Sequence, residues 1–410
     1  MTTTGTGAVD RGRAAIDRGR AAVDLLGVLY PPPLVVRIGI DPAVGTTRAA
    51  WTGLPSVANP RLLVARAGPL ASARLLRRQL TGSRLRTRAA RAGLSLAAAT
   101  GVLGRLPAQR ISIVGDPGSP SIEDPLREAL GTDRLRLTMP VGPARSNRKP
   151  VLQVTDEAGR VLAFGKVGHT DLTKRLVRRE ATALTTLAVA ALPGLRAPAR
   201  LAQVAWHDCE VLLLEPLPIP ARRLSGDDAR RRLVDLVREI ASITAGPPAP
   251  WGGHAFRARL LQRAEGCAGF AGRLHEVVER VPTRLELAPG AWHGDLNPGN
   301  VALVRGPCPV WDWERFEPDV PRGFDLLHHR LHEAITVLGM DPRVAASLLV
   351  ANAPATLTPL GVGGEAATAT ARLYLVTLAC RYLEDDQRAA GGDLGRVEEW
   401  LLPALEEAPS

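Results

Sequence analysis

At 410 residues the chain exceeds one ordinary domain and suits two or three, and with 45% apolar residues it can bury cores, which excludes a wholly disordered polymer. Its net charge of +11 is uneven: residues 1–110 hold 17 arginines, no lysine and four aspartates, a balance of +13, so the other 300 residues sum to −2. Four scattered cysteines lack zinc or disulfide spacing, no secretory signal opens the chain, and no run of 18 apolar residues marks a transmembrane helix, so a cytoplasmic protein is expected.

Residues 1–110 read as a basic, Arg-rich extension or cap. DRGRAAIDRGRAAV at 10–23 is a heptad written twice and reads as a polar leader, because its glycines weaken a helix. Pro31-Pro32-Pro33 stops any helix, and LVVRIGI then reads as a strand. Residues 70–102 have a helical pattern with arginines among Leu and Ala. Such a basic face can attract an anionic surface, nucleic acid or an acidic partner, or can simply be solvated. With Trp51 and Tyr30 as its only aromatics, the segment supplies base stacking poorly.

Residues 111–216 read as a nucleotide-binding lobe. Strands are expected at Ile111–Val114, Leu135–Met139, Val151–Thr155 and Val161–Val167, with a short helix at Ser121–Leu130. Asp156-Glu157-Ala158-Gly159 is a natural hairpin turn between the last two strands. A helix at Asp171–Ala191 and strands at Leu201–Trp206 and Val211–Leu214 complete a small antiparallel sheet carrying one helix. Residues 217–410 read as a helical lobe, with helices at 227–244, 255–280, 324–338, 343–351, 366–386 and 393–406. The pattern is α+β and bilobal, and a ligand cleft between the lobes is expected.

One break in the helical pattern carries the chemistry. His293-Gly294-Asp295-Leu296-Asn297-Pro298-Gly299-Asn300 is followed by Val310-Trp311-Asp312-Trp313-Glu314. Phosphoryl transfer from ATP needs a carboxylate to receive the hydroxyl proton, oxygen ligands for magnesium and cations on the phosphates. Asp295, five residues before Asn300, matches the spacing of the kinase H-R-D-x-x-x-x-N loop, with Gly in place of Arg. A hairpin of Val301–Val304 with Val310–Trp313 would return Asp312 beside Asn300.

HGDLNPGN and WDWE resemble the catalytic and metal-binding motifs of aminoglycoside phosphotransferases and their choline- and sugar-kinase relatives, and RGFDLLHH is similar to a choline-kinase segment. The resemblance spans roughly residues 133–405. It implies a protein-kinase-like fold and ATP- and Mg2+-dependent phosphorylation of a sugar, aminoglycoside or amino alcohol. Carried over by position, Asp295 is the catalytic base, His293 braces the loop, and Asn300 and Asp312 hold magnesium. Glu314 would support a second metal or the loop, and Asp325 would tie down the next helix. Lys166, one of three lysines in an Arg-rich composition of GC-rich bacterial style, would bind phosphates and be held by Glu180. Glu215-Pro216-Leu217 would be the hinge for adenine, with Leu217 the N–H donor because proline has none. Residues 141–149 would cover the phosphates, with Arg145 or Arg148 in reach.

The lack of D-F-G, A-P-E and a glycine-rich repeat disfavours a protein kinase. The alternative is a catalytically weak scaffold that docks through its basic N-terminal region. The acidic run Glu384-Asp385-Asp386 is a candidate contact for a cationic acceptor.

Overall fold

Thr6–Leu29 forms one continuous helix, α1, through the stretch expected to be a polar leader. Ala22, Leu25, Leu26 and Leu29 recur at helical spacing and are all buried, and this packing outweighs a glycine cost of about 1 kcal/mol per residue. Gly19 allows close approach: a Cβ there would lie 2.8 Å from the Ala58 carbonyl oxygen. The computed structural model describes residues 6–39, 46–65, 110–116, 118–142, 149–218, 222–389 and 393–407. The basic helix expected at 70–102, and Arg145 and Arg148, lie outside these residues.

Nine strands form one sheet: β1 (Val35–Ile38), β2 (Thr47–Leu54), β3 (Leu62–Ala65), β4 (Arg110–Val114), β5 (Arg136–Pro140), β6 (Val151–Thr155), β7 (Val161–Gly168), β9 (Arg200–Trp206) and β10 (Cys209–Leu214). The two-residue strand β8 (Leu195–Arg196) lies outside this sheet. The order is β1-β4-β2-β3-β5-β6-β7-β10-β9, with antiparallel neighbours throughout. The expected small sheet is the β5-β6-β7-β10-β9 part. Pairing of Leu63 with Met139 joins it to four more strands, covering the edge that β5 would leave open. Position 110, where composition suggests a boundary, lies inside β4.

Strand alternation sorts this sheet into two faces. Leu137, Met139, Leu152, Val154, Ala163, Val167, Val211 and Leu213 share a core with α1 and with Leu126 of α2 (Glu123–Leu130). The opposite face carries buried Thr138, Gln153 and Lys166. Within the core, the Trp51 indole N–H donates to the Tyr30 hydroxyl at 3.3 Å, and that hydroxyl donates to Glu123 at 2.5 Å. Trp206 donates to the Leu29 carbonyl at 3.0 Å, tying α1 to β9.

The described residues fall into two compact units, 6–177 with 200–216, and 178–199 with 217–407. The division passes through α3 (Asp171–Val189). The second unit is mainly helical: α4 (Gly226–Ala241), α5 (Ala255–Glu265), α6 (Ala271–Glu279), α7 (Phe324–His332), α8 (Pro342–Ala351), α9 (Ala353–Leu357), α10 (Gly364–Glu384) and α11 (Val397–Glu407). The architecture is α+β, with an antiparallel sheet-rich unit and a helix-rich unit. The single helix expected over 255–280 is broken after Glu265 by a turn in which Gly269 has φ +80°. The hairpin expected at 301–313 shrinks to one bridge, Val301 with Val310, because Pro307 and Pro309 cannot donate to a ladder. Instead β14 (Cys308–Pro309) runs parallel to β8, β13 (Pro289–Trp292) pairs with β15 (Glu317–Pro321), and the two-residue strands β11 (Ala249–Pro250) and β12 (Glu286–Leu287) pair with each other. All four cysteines are free and buried. No helix among the described residues is long and apolar enough to cross a membrane.

Candidate active site

The loop 293–300 leaves β13 from a rigid base. Trp292 meets Phe324 edge-on at 5.2 Å and Tyr374 at 6.4 Å between ring centroids, and Phe256 closes on Phe324 at 5.6 Å. Such edge-to-face contacts fix orientation as well as burying apolar surface. Gly294 then turns the chain at φ +85°, and a Cβ there would lie 2.1 Å from the Arg315 carbonyl oxygen. The Gly that departs from the kinase pattern is therefore required by its own backbone.

Asp325, in the first turn of α7, accepts the His293 N–H at 2.7 Å and the Gly294 N–H at 3.2 Å. It fastens the loop to α7, a longer reach than the helix-start role expected for it. Burial raises its pKa to about 7, against the opposing pull of those two donors. His293 is fully buried. Its Nδ1 accepts the Asp295 N–H at 3.1 Å, so its Nε2 carries the proton toward the Trp311 carbonyl at 3.0 Å. With its ring 4.4 Å from that of Trp313, it braces the two motif segments.

Asp295 receives hydrogen bonds on both carboxylate oxygens, from His328 Nε2 at 2.9 Å and from Asn300 Nδ2 at 2.9 Å. Asn300 Nδ2 also reaches the Asp295 carbonyl at 3.0 Å, and the Asn300 carbonyl accepts the Trp311 N–H at 3.1 Å. Protein surrounds the carboxyl, yet 35% of the side chain stays exposed. Burial works to raise its pKa, but the His328 hydrogen bond, aided by Arg381 and His332, holds it well below the usual carboxylate range. Burial, reinforced by His332, pushes the pKa of His328 well down. His328 is thus neutral, donating from Nε2 while its Nδ1 accepts the Tyr374 hydroxyl at 3.0 Å. Next to it, His329 Nδ1 bonds the Leu296 carbonyl at 3.0 Å, and Arg381 donates to the Gly294 carbonyl.

A second acidic group lies in the same unit. Ligand-capable atoms of Glu180, Asp312 and Glu314 all fall within 4.8 Å of one another, with the two glutamates buried. The Glu180 carboxylate accepts the Trp313 N–H at 3.3 Å. Asp312 sits in the left-handed region at φ +70°, which Asp tolerates better than most residues. Clustered hard oxygens of this kind suit a divalent cation. The bridge Val301–Val310 and the Trp311–Asn300 hydrogen bond bring the two motif segments side by side.

In the sheet-rich unit, Lys166 is buried on β7, opposite Val151 and Leu212. Glu215 follows β10 and Leu217 opens the helix-rich unit; both are half-buried. Three site residues escape the sequence reading: His328, Tyr374 and Arg381. RGFDLLHH holds the first, but nothing local assigns it to Asp295. The other two lie on α10 seven residues apart, a helical repeat equally consistent with core packing.

No family model matches the chain, and no curated protein does. Solved structures do resemble it. A Haemophilus somnus protein assigned as a fructosamine-3-kinase is 13% identical at a TM-score of 0.44, covering 69% of this chain and 96% of that one. A thermostable mutant of aminoglycoside phosphotransferase APH(4)-Ia, in ternary complex with ADP and hygromycin B, is 11% identical at a TM-score of 0.44, covering 70% and 97%. Spectinomycin phosphotransferase APH(9)-Ia, in complex with ADP and spectinomycin, is 13% identical at a TM-score of 0.38, covering 69% and 93%.

Proposed function

We propose that this chain is a magnesium- and ATP-dependent phosphotransferase that moves the γ-phosphoryl group to a hydroxyl of a small molecule. The observation that carries this reading is Asp295, ionised between His328 and Asn300 and still open to solvent on part of its surface. An acceptor hydroxyl bound there bonds its oxygen to the γ-phosphorus as the bond to the ADP oxygen breaks, and its proton passes to Asp295. A carboxylate of such low basicity acts mainly by orienting the hydroxyl, which suits a loose transition state in which the proton leaves late. Neutral His328 keeps Asp295 aimed and cannot take the proton from it while its Nδ1 holds Tyr374.

Glu180, Asp312 and Glu314 offer oxygen donors that fit magnesium, and Asn300, its Nδ2 spent on Asp295, would offer its Oδ1. Bound magnesium would neutralise charge on the transferring phosphates. The further proposal is that Lys166 binds the α- and β-phosphates and that the backbone at Glu215 and Leu217 binds the adenine. The test is ADP release by wild type and Asp295→Asn against hydroxyl compounds of differing charge. Acceptor-dependent turnover that falls about a thousandfold in the variant is expected. Turnover equal in the two proteins would remove Asp295 from the chemistry, and an absence of acceptor-dependent turnover with no magnesium-dependent nucleotide binding would return the chain to the scaffold class.

A further inference from the structure

A pocket of about 430 Å³ lies within the helix-rich unit beside the 293–300 loop, lined by Trp292, Thr377 and seven charged residues among others. Five of these are arginines, Arg179, Arg259, Arg263, Arg315 and Arg381, against only Glu317 and Glu384. In the acidic run that sequence offers to a cationic acceptor, Glu384 and Asp385 are already paired. Arg263 grips Glu384 with two bonds, of 2.8 Å and 3.0 Å, and Arg315 pairs with Asp385. Glu317 is met by Arg259 at 3.3 Å. Glu317, Glu384 and Asp385 therefore each have an arginine. Among the described residues Arg179 and Arg381 are left without a carboxylate in ion-pair reach.

Arg381 is the more telling of the two. It is only 8% exposed, its Nη1 donates to the Gly294 carbonyl, and its guanidinium lies 5.6 Å from the centroid of the Trp292 ring. Its Nε and Nη2 are buried with no hydrogen-bond partner among the described residues. Two donors of a permanent cation buried unsatisfied destabilise the empty site, and a planar oxyanion meets such a fork with two parallel bonds. Arg179, exposed at the rim, adds a second cation.

We infer that the acceptor carries an anionic group, a carboxylate or a phosphate monoester, which binds Arg381 and Arg179 in this pocket while its hydroxyl is presented to Asp295. The inference rests on the phosphotransferase reading for the hydroxyl but not for the anion. Arg381 holds the peptide that leads directly into Asp295, so an anion seated on it lies one residue from the proposed base. An amine acceptor in the same pocket would meet like charge.

The test uses the full chain with glycerate and glycerol 3-phosphate as anionic probes, glycerol and glucose as neutral ones, and ethanolamine and kanamycin as cationic ones. Calorimetry without nucleotide reads the anion site, and ADP release reads transfer. Anionic probes are expected to bind and to be preferred acceptors, with affinity falling at least tenfold in Arg179→Ala and in Arg381→Gln. The carboxylate and phosphate arms decide which oxyanion fits. Arg179 is exposed, so its variant keeps the test valid should Arg381→Gln fail to fold. Anion binding indifferent to both substitutions, or neutral or cationic acceptors turned over as well as anionic ones, overturns the inference while leaving phosphotransfer intact. Loss of the phosphotransferase reading shows separately, as ADP release unchanged by Asp295→Asn.

Discussion

Gly294 has no room for a Cβ, and its φ of +85° is one that L side chains rarely adopt. Gly294→Ala is expected to cost about 2–4 kcal/mol, from backbone strain and displacement of the Arg315 carbonyl. Urea midpoints of the two proteins measure this, and an unchanged midpoint would mean the loop is not held where it stands. Asp325 carries a pH signature. Its folded pKa of about 7 lies above the ordinary value of 3.8, so the folded chain keeps a proton that the unfolded chain has already released. Its contribution to stability is therefore full below about pH 4 and is lost as pH rises through about 7. Relative to Asp325→Asn, wild type should lose stability between about pH 4 and 7 and change little above that, as read from paired urea titrations. A gap that widens with pH in the wild type's favour would contradict the assignment. Asp295 has the opposite sign, since its depressed value gives stability that is lost only in strong acid.

Two elements meet at the acidic group: α3 brings Glu180, and the turn at Trp313–Arg315, with Asp312 just before it, brings the other two carboxylates. Three carboxylates this close repel one another unless a cation or proton intervenes. Asp312→Asn keeps the left-handed backbone, so it should abolish the increment in melting temperature that magnesium gives wild type. Binding at a hundredfold excess over Kd contributes about 2.7 kcal/mol, enough for a shift of several degrees. Thermal scans with and without magnesium read the increment, and one that survives the substitution would place the metal elsewhere. The four strands of residues 35–114 make a similar point for the sheet. Thr47–Leu54 reads TRAAWTGL, with no apolar alternation to announce a strand, yet it pairs with β4 along Thr47–Thr52. Its partners supply the ladder that its own propensity does not.

At the scale of the whole molecule, the described part of residues 1–110 is sheet and core. Removing 1–110 should expose the face of Leu137, Leu152, Val154 and Leu213 that α1 helps close, and free the edge of β5. The truncated chain is expected to lose cooperative unfolding and to aggregate, as light scattering and circular dichroism would register; a soluble, cooperatively melting product would reinstate a detachable cap. What the sequence alone determined is local. The β5-β6-β7 and β9-β10 strands follow from period-two burial, most helices of the second unit from their own periodicity, and Asp295 and Asn300 from a spacing of five residues on one loop. Tertiary structure decided what depends on distant partners. His328 meets Asp295 across 33 positions, Arg381 meets Gly294 across 87, and Arg263 takes Glu384 across 121. A hydrogen bond between residues so far apart exists only once helices have packed, so sequence could locate the proposed base but could not see that arginines had already neutralised the acids beside it.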